Sequence, residues 1–317
     1  MMPTFIQPTI DLPVHQQDDP KIGHLILRGQ PHRIDTRVVL IGFPSDEGVR
    51  RNWGRPGASK APDYIRQQLF RLTPPATETI HFPFMELLVH TNDLGNIQME
   101  GDMETDQDHL GKLVAEYLDK DIIPIILGGG HETAYGHFLG YVHANRDCEI
   151  LNLDAHADVR PFKNGRAHSG SPFRQALEHD SGRCKKYTVA GLQEYSFSHE
   201  HRLYVESKGG ACIMKSHLTI EHIARLYDDL EDPAMVTFDM DALDQSVAPG
   251  VSAPAVNGMN LDLWLFAAEQ AGKNPVVRSM DLVEFNPEYD RDAHTARAAA
   301  LTIWHFLLGL AMRGSDS

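Results

Sequence analysis

Asp154, His156 and Asp158 stand two residues apart, directly after the apolar run at 149–153. Such a run reads as a buried strand of a parallel sheet. On extended backbone, positions i, i+2 and i+4 share a face. Two carboxylates and an imidazole are therefore expected to converge at the carboxyl end of a strand, where open α/β sheets place their sites. A polar turn held by two aspartates is the alternative for these residues taken alone. Two further strand ends carry similar groups. The run at 121–127 feeds Gly128-Gly129-Gly130-His131-Glu132, and Val236-Thr237-Phe238 feeds Asp239-Met240-Asp241. Four carboxylates and two imidazoles are more ligand than one ion needs. Four converging negative charges also repel unless cations sit between them. Two divalent ions sharing carboxylates meet both conditions. Mixed carboxylate and imidazole ligands without thiolate suit manganese, with zinc, cobalt or iron as alternatives.

Placing these ends side by side requires a sheet. Buried strands are expected at 37–44, 87–90, 121–127, 149–153, 187–191, 211–214, 235–238 and 276–280. Helices are expected near 62–71, 105–120, 219–230, 260–272 and 293–312. Leu110, Leu113, Val114, Tyr117 and Leu118 fall at i, i+3, i+4, i+7 and i+8, which marks the second of these as amphipathic. Strand and helix alternate with no repeat of fixed length. That pattern predicts one doubly wound, mostly parallel sheet flanked by helices, a single-domain three-layer α/β/α sandwich. Residues 1–36, rich in Pro, His and Asp, are expected to form an N-terminal surface arm, and 37–317 one domain with no internal linker.

Composition narrows the partners. Of 317 residues, 44 are acidic and 29 basic, a formal charge of −15 that argues against nucleic acid or an anionic membrane as the main partner. The fractions of apolar (42%) and charged (23%) residues are those of an ordinary soluble protein. Cys148, Cys184 and Cys212 lack metal-ligand spacing, and three sparse cysteines point to free thiols in a reducing compartment. The N-terminus has no signal-peptide pattern and no run approaches a membrane span, so a cytoplasmic protein is expected.

The segments Gly128-Gly129-Gly130-His131, Asp154-Ala155-His156-Ala157-Asp158, Asp239-Met240-Asp241-Ala242-Leu243-Asp244 and Ser279-Met280-Asp281-Leu282-Val283-Glu284 resemble, in order, the motifs of the arginase (ureohydrolase) family of binuclear manganese hydrolases. The resemblance implies an arginase-like fold and two Mn2+ per subunit. His131, Asp154, Asp158 and Asp239 would hold one ion, and Asp154, His156, Asp239 and Asp241 the other. It further implies hydrolysis of an amidino carbon by a metal-bridging hydroxide, since paired ions about 3.5–4 Å apart lower the pKa of a shared water. Asp158 would transfer a proton to the leaving amine. His168 aligns with a proton-shuttling histidine, and Glu284 with the acid that binds the cationic end of the substrate. Relatives are often trimers or hexamers, so a homo-oligomer acting on a small molecule is implied.

Within that family the loop 48–55 and the motif Asn164-Gly165-Arg166-Ala167-His168-Ser169-Gly170 resemble the formimidoylglutamases. These hydrolyse N-formimidoyl-L-glutamate to L-glutamate and formamide in histidine degradation. Gly130 stands where arginases and agmatinases usually have Asp. A dicarboxylate substrate calls for cationic clamps, and arginine matches a carboxylate bidentately. Arg160, two residues after Asp158, is the first candidate, with Arg50, Arg51, Arg55 and Asn164 as further substrate contacts. At least one of the three loop arginines is expected to make a structural ion pair instead. Glu132 either supports His131 or caps the helix that follows, the latter being favoured. The alternatives are an agmatinase or guanidino-acid hydrolase that releases urea, and a non-catalytic ureohydrolase-like binding protein.

Overall fold

A computed structural model describes residues 3–16, 18–29, 33–231 and 233–313. Among these, ten strands form one sheet: β1 (Phe5–Ile6), β2 (Leu27–Arg28), β3 (Val38–Phe43), β4 (Thr91–Ile97), β5 (Ile123–Gly128), β6 (Cys148–Leu153), β7 (Cys184–Leu192), β8 (Ala211–Met214), β9 (Ala234–Asp239) and β10 (Val277–Val283). The spatial order is β1-β4-β3-β5-β10-β9-β6-β7-β8, with β2 pairing β4 off this path. Every pairing is parallel except that of β1 with β4.

β3, β5, β6 and β9 are buried along their whole length, so their side chains feed two cores alternately. Val38 and Leu40 of β3, with Ile125 and Leu127 of β5, pack on one face against the helices Ala61–Leu69, Leu261–Lys273 and His294–Ala311. Val39, Ile41 and Ile126 pack on the other, against the helices Met103–Asp119 and Thr133–His143. That is the expected three-layer sandwich. A buried polar chain fixes one helix to the sheet: His137 Nδ1 lies 2.7 Å from Asp281, its Nε2 2.5 Å from Ser279 Oγ, and Tyr141 OH 2.7 Å from the same hydroxyl. Buried hydrogen-bonded groups of this kind select a single packing. Here they lock the helix that follows His131 onto β10.

Two expectations change. Residues 87–90 end the helix Glu78–Val89, and the strand begins at Thr91. A short apolar run does not separate strand from helix by periodicity, and Pro83 inside this helix hides its pattern. The first 36 residues are less detached than expected. They contribute β1 and β2, and Ile22 and Ile26 are buried in the core. The three cysteines form no disulfide among the described residues. No helix among the described residues is long and apolar enough to cross a membrane.

Candidate metal centre

β5, β10, β9 and β6 are consecutive in the sheet, so the loops leaving their carboxyl ends are neighbours about 4.8 Å apart. They bring together His131, Glu284, the pair Asp239 and Asp241, and the trio Asp154, His156 and Asp158. His131, Asp154, Asp158 and Asp239 form one group of converging ligand atoms, and Asp154, His156 and Asp241 a second. His131 Nδ1 lies 2.9 Å from Asp239, 3.0 Å from Asp158 and 3.4 Å from Asp154. His156 Nδ1 lies 3.2 Å from Asp241 and 3.6 Å from the other oxygen of Asp154. Asp154 therefore belongs to both groups, whereas Asp239 enters only the first.

The convergence at i and i+2 comes from turns rather than from continued strand. Asp154 Oδ1 accepts a hydrogen bond from His156 N at 2.7 Å, and Asp239 Oδ1 accepts one from Asp241 N at 2.9 Å. The same aspartate-centred turn is thus used twice, so turn and ligand chemistry coincide. Asp158 and Glu284 have φ of 45° and 65°. A non-glycine residue in that region costs about 1 kcal/mol or more, and such strain gathers at functional sites.

The donor set fits divalent cations. Thr237 Oγ1 holds His131 Nε2 at 3.0 Å, leaving Nδ1, which is buried and makes no hydrogen bond, for a ligand. Asp241 Oδ1 is likewise buried without a hydrogen bond. Asn152 Nδ2 donates to Asp154 Oδ2 at 2.9 Å and fixes that carboxylate. Burial opposes charge on His131, but Asp154, Asp158 and Asp239 outweigh it and hold the imidazole well above its ordinary pKa. Burial, then Asp241 and Asp154, push Asp239 well up. Burial also raises Asp241. Burial pushes Asp154 up, but the imidazoles of His131 and His156 beside it outweigh burial and hold the carboxyl below its usual range. Divalent ions placed among these groups would relieve the same repulsion.

A cavity of about 80 Å³ opens beside these ligands, walled by Asn52, Arg160, Ser169, Ser252 and Glu284 among others. A roomier groove of about 610 Å³ lies at the β8 edge between Ile213 and Asp229, far from this chemistry and with none of the converging ligands. Glu284 Oε1 accepts from His131 N at 2.7 Å, and burial followed by the charge of Glu132 pushes its pKa up to about 8.

Arg160 is the one expected arginine that walls the cavity. Arg50 pairs with Asp46 at 2.9 Å, Arg51 with Glu47 and Glu104, and Arg55 donates to the carbonyls of Ser252 and Val251 over the Tyr289 ring. All three are thus committed to holding the loop. Asn164 is exposed, with φ of 51° ahead of Gly165 at 73°, the pair that a two-residue type I′ turn requires. It shapes a turn and does not wall the cavity. His168 is fully buried, its Nδ1 accepting from Gly170 N at 3.1 Å and its Nε2 lying 3.1 Å from the Pro161 carbonyl. Burial lowers its pKa. Glu132 makes no capping bond to its helix. Its Oε1 accepts from Ser45 Oγ and Gly48 N, both at 2.9 Å, and burial raises its pKa to about 7. A Cβ at Gly130 would stand 2.2 Å from Glu132 Oε2, so the glycine makes room for this carboxylate.

Thr237, Asn152, Asn52 and Ser252 were not anticipated from sequence. The first two lie two residues before Asp239 and Asp154, on the same strands, where a period of two points at them. Asn52 and Ser252 reach the cavity on loops that carry no such period.

Comparison with known proteins agrees with this geometry. The arginase family model matches residues 36–309. The chain is 35% identical to a formimidoylglutamase of Geobacillus thermodenitrificans, over 91% of this chain and 89% of that protein. It is 34% identical to one from Chromobacterium violaceum, over 90% and 91%. The crystal structure of Trypanosoma cruzi formiminoglutamase with manganese (Mn2+2) superposes with a TM-score of 0.85 at 31% identity, covering 93% of this chain and all of that one. With its sheet, its ligand-bearing strand ends and these relatives in agreement, the chain belongs to the arginase family.

Proposed function

We propose that this protein is a manganese-dependent formimidoylglutamase that hydrolyses N-formimidoyl-L-glutamate to L-glutamate and formamide. The observation that carries this is the Arg160 guanidinium in the wall of a cavity floored by two His/Asp ligand groups. His131, Asp154, Asp158 and Asp239 would hold one ion, and Asp154, His156 and Asp241 the other. When bound, such a pair supplies Lewis acidity and a water acidic enough to react near neutral pH.

The chain's own groups do the rest. Glu284 faces the cationic formimidoyl group, whose charge favours the ionised carboxylate that burial alone disfavours. Asp158, at the cavity wall, takes a proton on its carboxylate and passes it to the nitrogen of the departing glutamate. Arg160 orients a substrate carboxylate. Arg160→Ala should raise KM for N-formimidoyl-L-glutamate about 10- to 100-fold and change kcat little, the loss of one charge-assisted carboxylate contact. Steady-state kinetics check this, and an unchanged KM would remove Arg160 from substrate binding. Agmatine carries no carboxylate, and a chain that used it would not respond to this substitution. Cytoplasmic, homo-oligomeric action on this one small substrate completes the reading, and light scattering on the purified protein tests the assembly.

His168 is best read as a holder of the loop 158–171 rather than as a proton shuttle, because backbone groups occupy both ring nitrogens. His168→Ala should cost about 1–3 kcal/mol of stability through the lost bonds and the cavity left behind. A histidine whose folded pKa is depressed contributes stability above its unfolded value of about 6.5, and that contribution is lost as pH falls through the folded value. The gap between wild type and His168→Ala should therefore be widest above pH ~6.5 and narrow below it. Denaturant melts across that range, with a test for rescue by added imidazole, decide the matter. Rescued kcat at unchanged stability would restore the shuttle.

A further inference from the structure

Lys163 occupies a position that the metal chemistry does not explain. It stands at the start of the tight turn through Asn164 and Gly165, where Lys163 and Arg166 exchange both backbone hydrogen bonds. Its Nζ donates to Asn52 Oδ1 at 2.8 Å and to the Asn52 carbonyl at 3.1 Å. Arg160 Nη1 lies 3.4 Å from that same Asn52 Oδ1. Two cations thus share one neutral amide oxygen in the cavity wall. The Asn52 amide is fixed from its other side, Nδ2 donating to Ser169 Oγ at 3.2 Å.

The charges make this arrangement unusual. In a chain with 44 acidic residues, neither Lys163 nor Arg160 has a carboxylate within ion-pair distance among the described residues. The neighbouring arginines 50 and 51 are both paired with acids. Burial and the charge of Arg160 both act against protonation of Lys163. Trp53 strengthens the case. Its ring lies 4.0 Å from Lys163 Nζ, although the indole is 82% exposed and the backbone has φ of 64°, neither of which tryptophan favours. The ring serves as a platform that steadies the ammonium against Asn52, a residue of the cavity wall.

We propose that Lys163 is a specificity-determining residue: with Arg160 it forms a two-cation seat for a carboxylate of an amino-acid-derived substrate, at the place where Asn52 Oδ1 now satisfies both cations. This rests on the substrate reading above. A carboxylate offers two oxygens to the two cations and takes the place of the Asn52 amide oxygen as their shared acceptor. A cationic or uncharged substrate gains nothing from the seat.

The test uses the manganese-loaded full chain and its Lys163→Met and Lys163→Arg variants. Turnover is measured on N-formimidoyl-L-glutamate and on N-butylformamidine, which has the same reacting group and no carboxylate. Direct binding of L-glutamate is measured by calorimetry. Lys163→Met should raise KM for the dicarboxylate about tenfold with kcat within threefold, weaken L-glutamate to a similar degree, and leave kcat/KM on N-butylformamidine unchanged. Lys163→Arg should restore most of the loss. Equal losses on both substrates would make Lys163 a structural residue, and unchanged KM and glutamate affinity would overturn the seat. If wild type fails to turn over N-formimidoyl-L-glutamate while Lys163→Met still weakens L-glutamate, the seat stands and the assigned reaction falls.

Discussion

Asp154→Asn should lower kcat/KM by about 10³-fold or more, roughly 4 kcal/mol of transition-state stabilisation. No other carboxylate is common to both ligand groups. One oxygen of Asp154 lies 3.4 Å from His131 Nδ1 and the other 3.6 Å from His156 Nδ1. The amide has a similar shape, so the turn and its packing survive while the bridging charge is lost. Metal content should fall with activity, from two ions per chain towards one or none, as read by plasma emission spectrometry. Asp244→Asn is the matched control. That carboxylate belongs to the same sequence motif but accepts hydrogen bonds from Ser246 and Gly258 rather than joining a ligand group. Near-normal activity in Asp154→Asn with full metal content would remove Asp154 from the centre of the account.

Removing the metal should destabilise the fold strongly. His131, Asp154, Asp239 and Asp241 are buried, and a buried group of carboxylates with no cation among them is held together only by protonation. An ion present at about 1,000 times its Kd adds about 4 kcal/mol at each of two sites, and about 1 kcal/mol moves Tm by roughly 1.5 °C in a chain this long. Chelation should thus lower Tm by more than about 10 °C, with most of the loss recovered on adding manganese. Protons compete with metal for the same oxygens and nitrogens. The gap between loaded and chelated protein should accordingly widen from pH 5 to pH 8. Scanning calorimetry with and without chelator reads both effects, and a Tm that ignores the chelator at pH 8 would mean that the site contributes nothing to folding.

The convergence of these side chains was legible because potential metal ligands leave a local signature. Asp154-x-His156-x-Asp158 and Asp239-x-Asp241 each follow a buried strand, and a parallel sheet forces such ends to one edge. The geometry that joins i to i+2 was read as extended strand, whereas the aspartate carboxylates fold the backbone into turns. The substrate side was less legible because it depends on which loops face each other. Arg50, Arg51, Arg55 and Arg160 look equivalent as residue types. Only the packing reveals that Glu104, Asp46 and the carbonyls of Val251 and Ser252 occupy the first three. Asn164 carried a motif, yet its φ assigns it to a turn, and it is the neighbouring Lys163 that reaches Asn52 in the cavity wall. His168 likewise sits in a Gly/Ser segment that reads as open loop, but Gly170 and Pro161 enclose its ring. The helix at 78–89 was missed for a local reason, the proline within it.

The most direct measurement is turnover by the manganese-reconstituted enzyme on N-formimidoyl-L-glutamate, agmatine, arginine and 4-guanidinobutyrate, each offered separately, with formamide, glutamate and urea as readouts. Formamide and glutamate are expected in equal amounts from the first substrate, and no urea from the other three. Urea from a guanidino substrate would keep the two-ion centre but contradict the role given to Arg160. Silence on all four with both ions bound would contradict the assignment of catalysis itself.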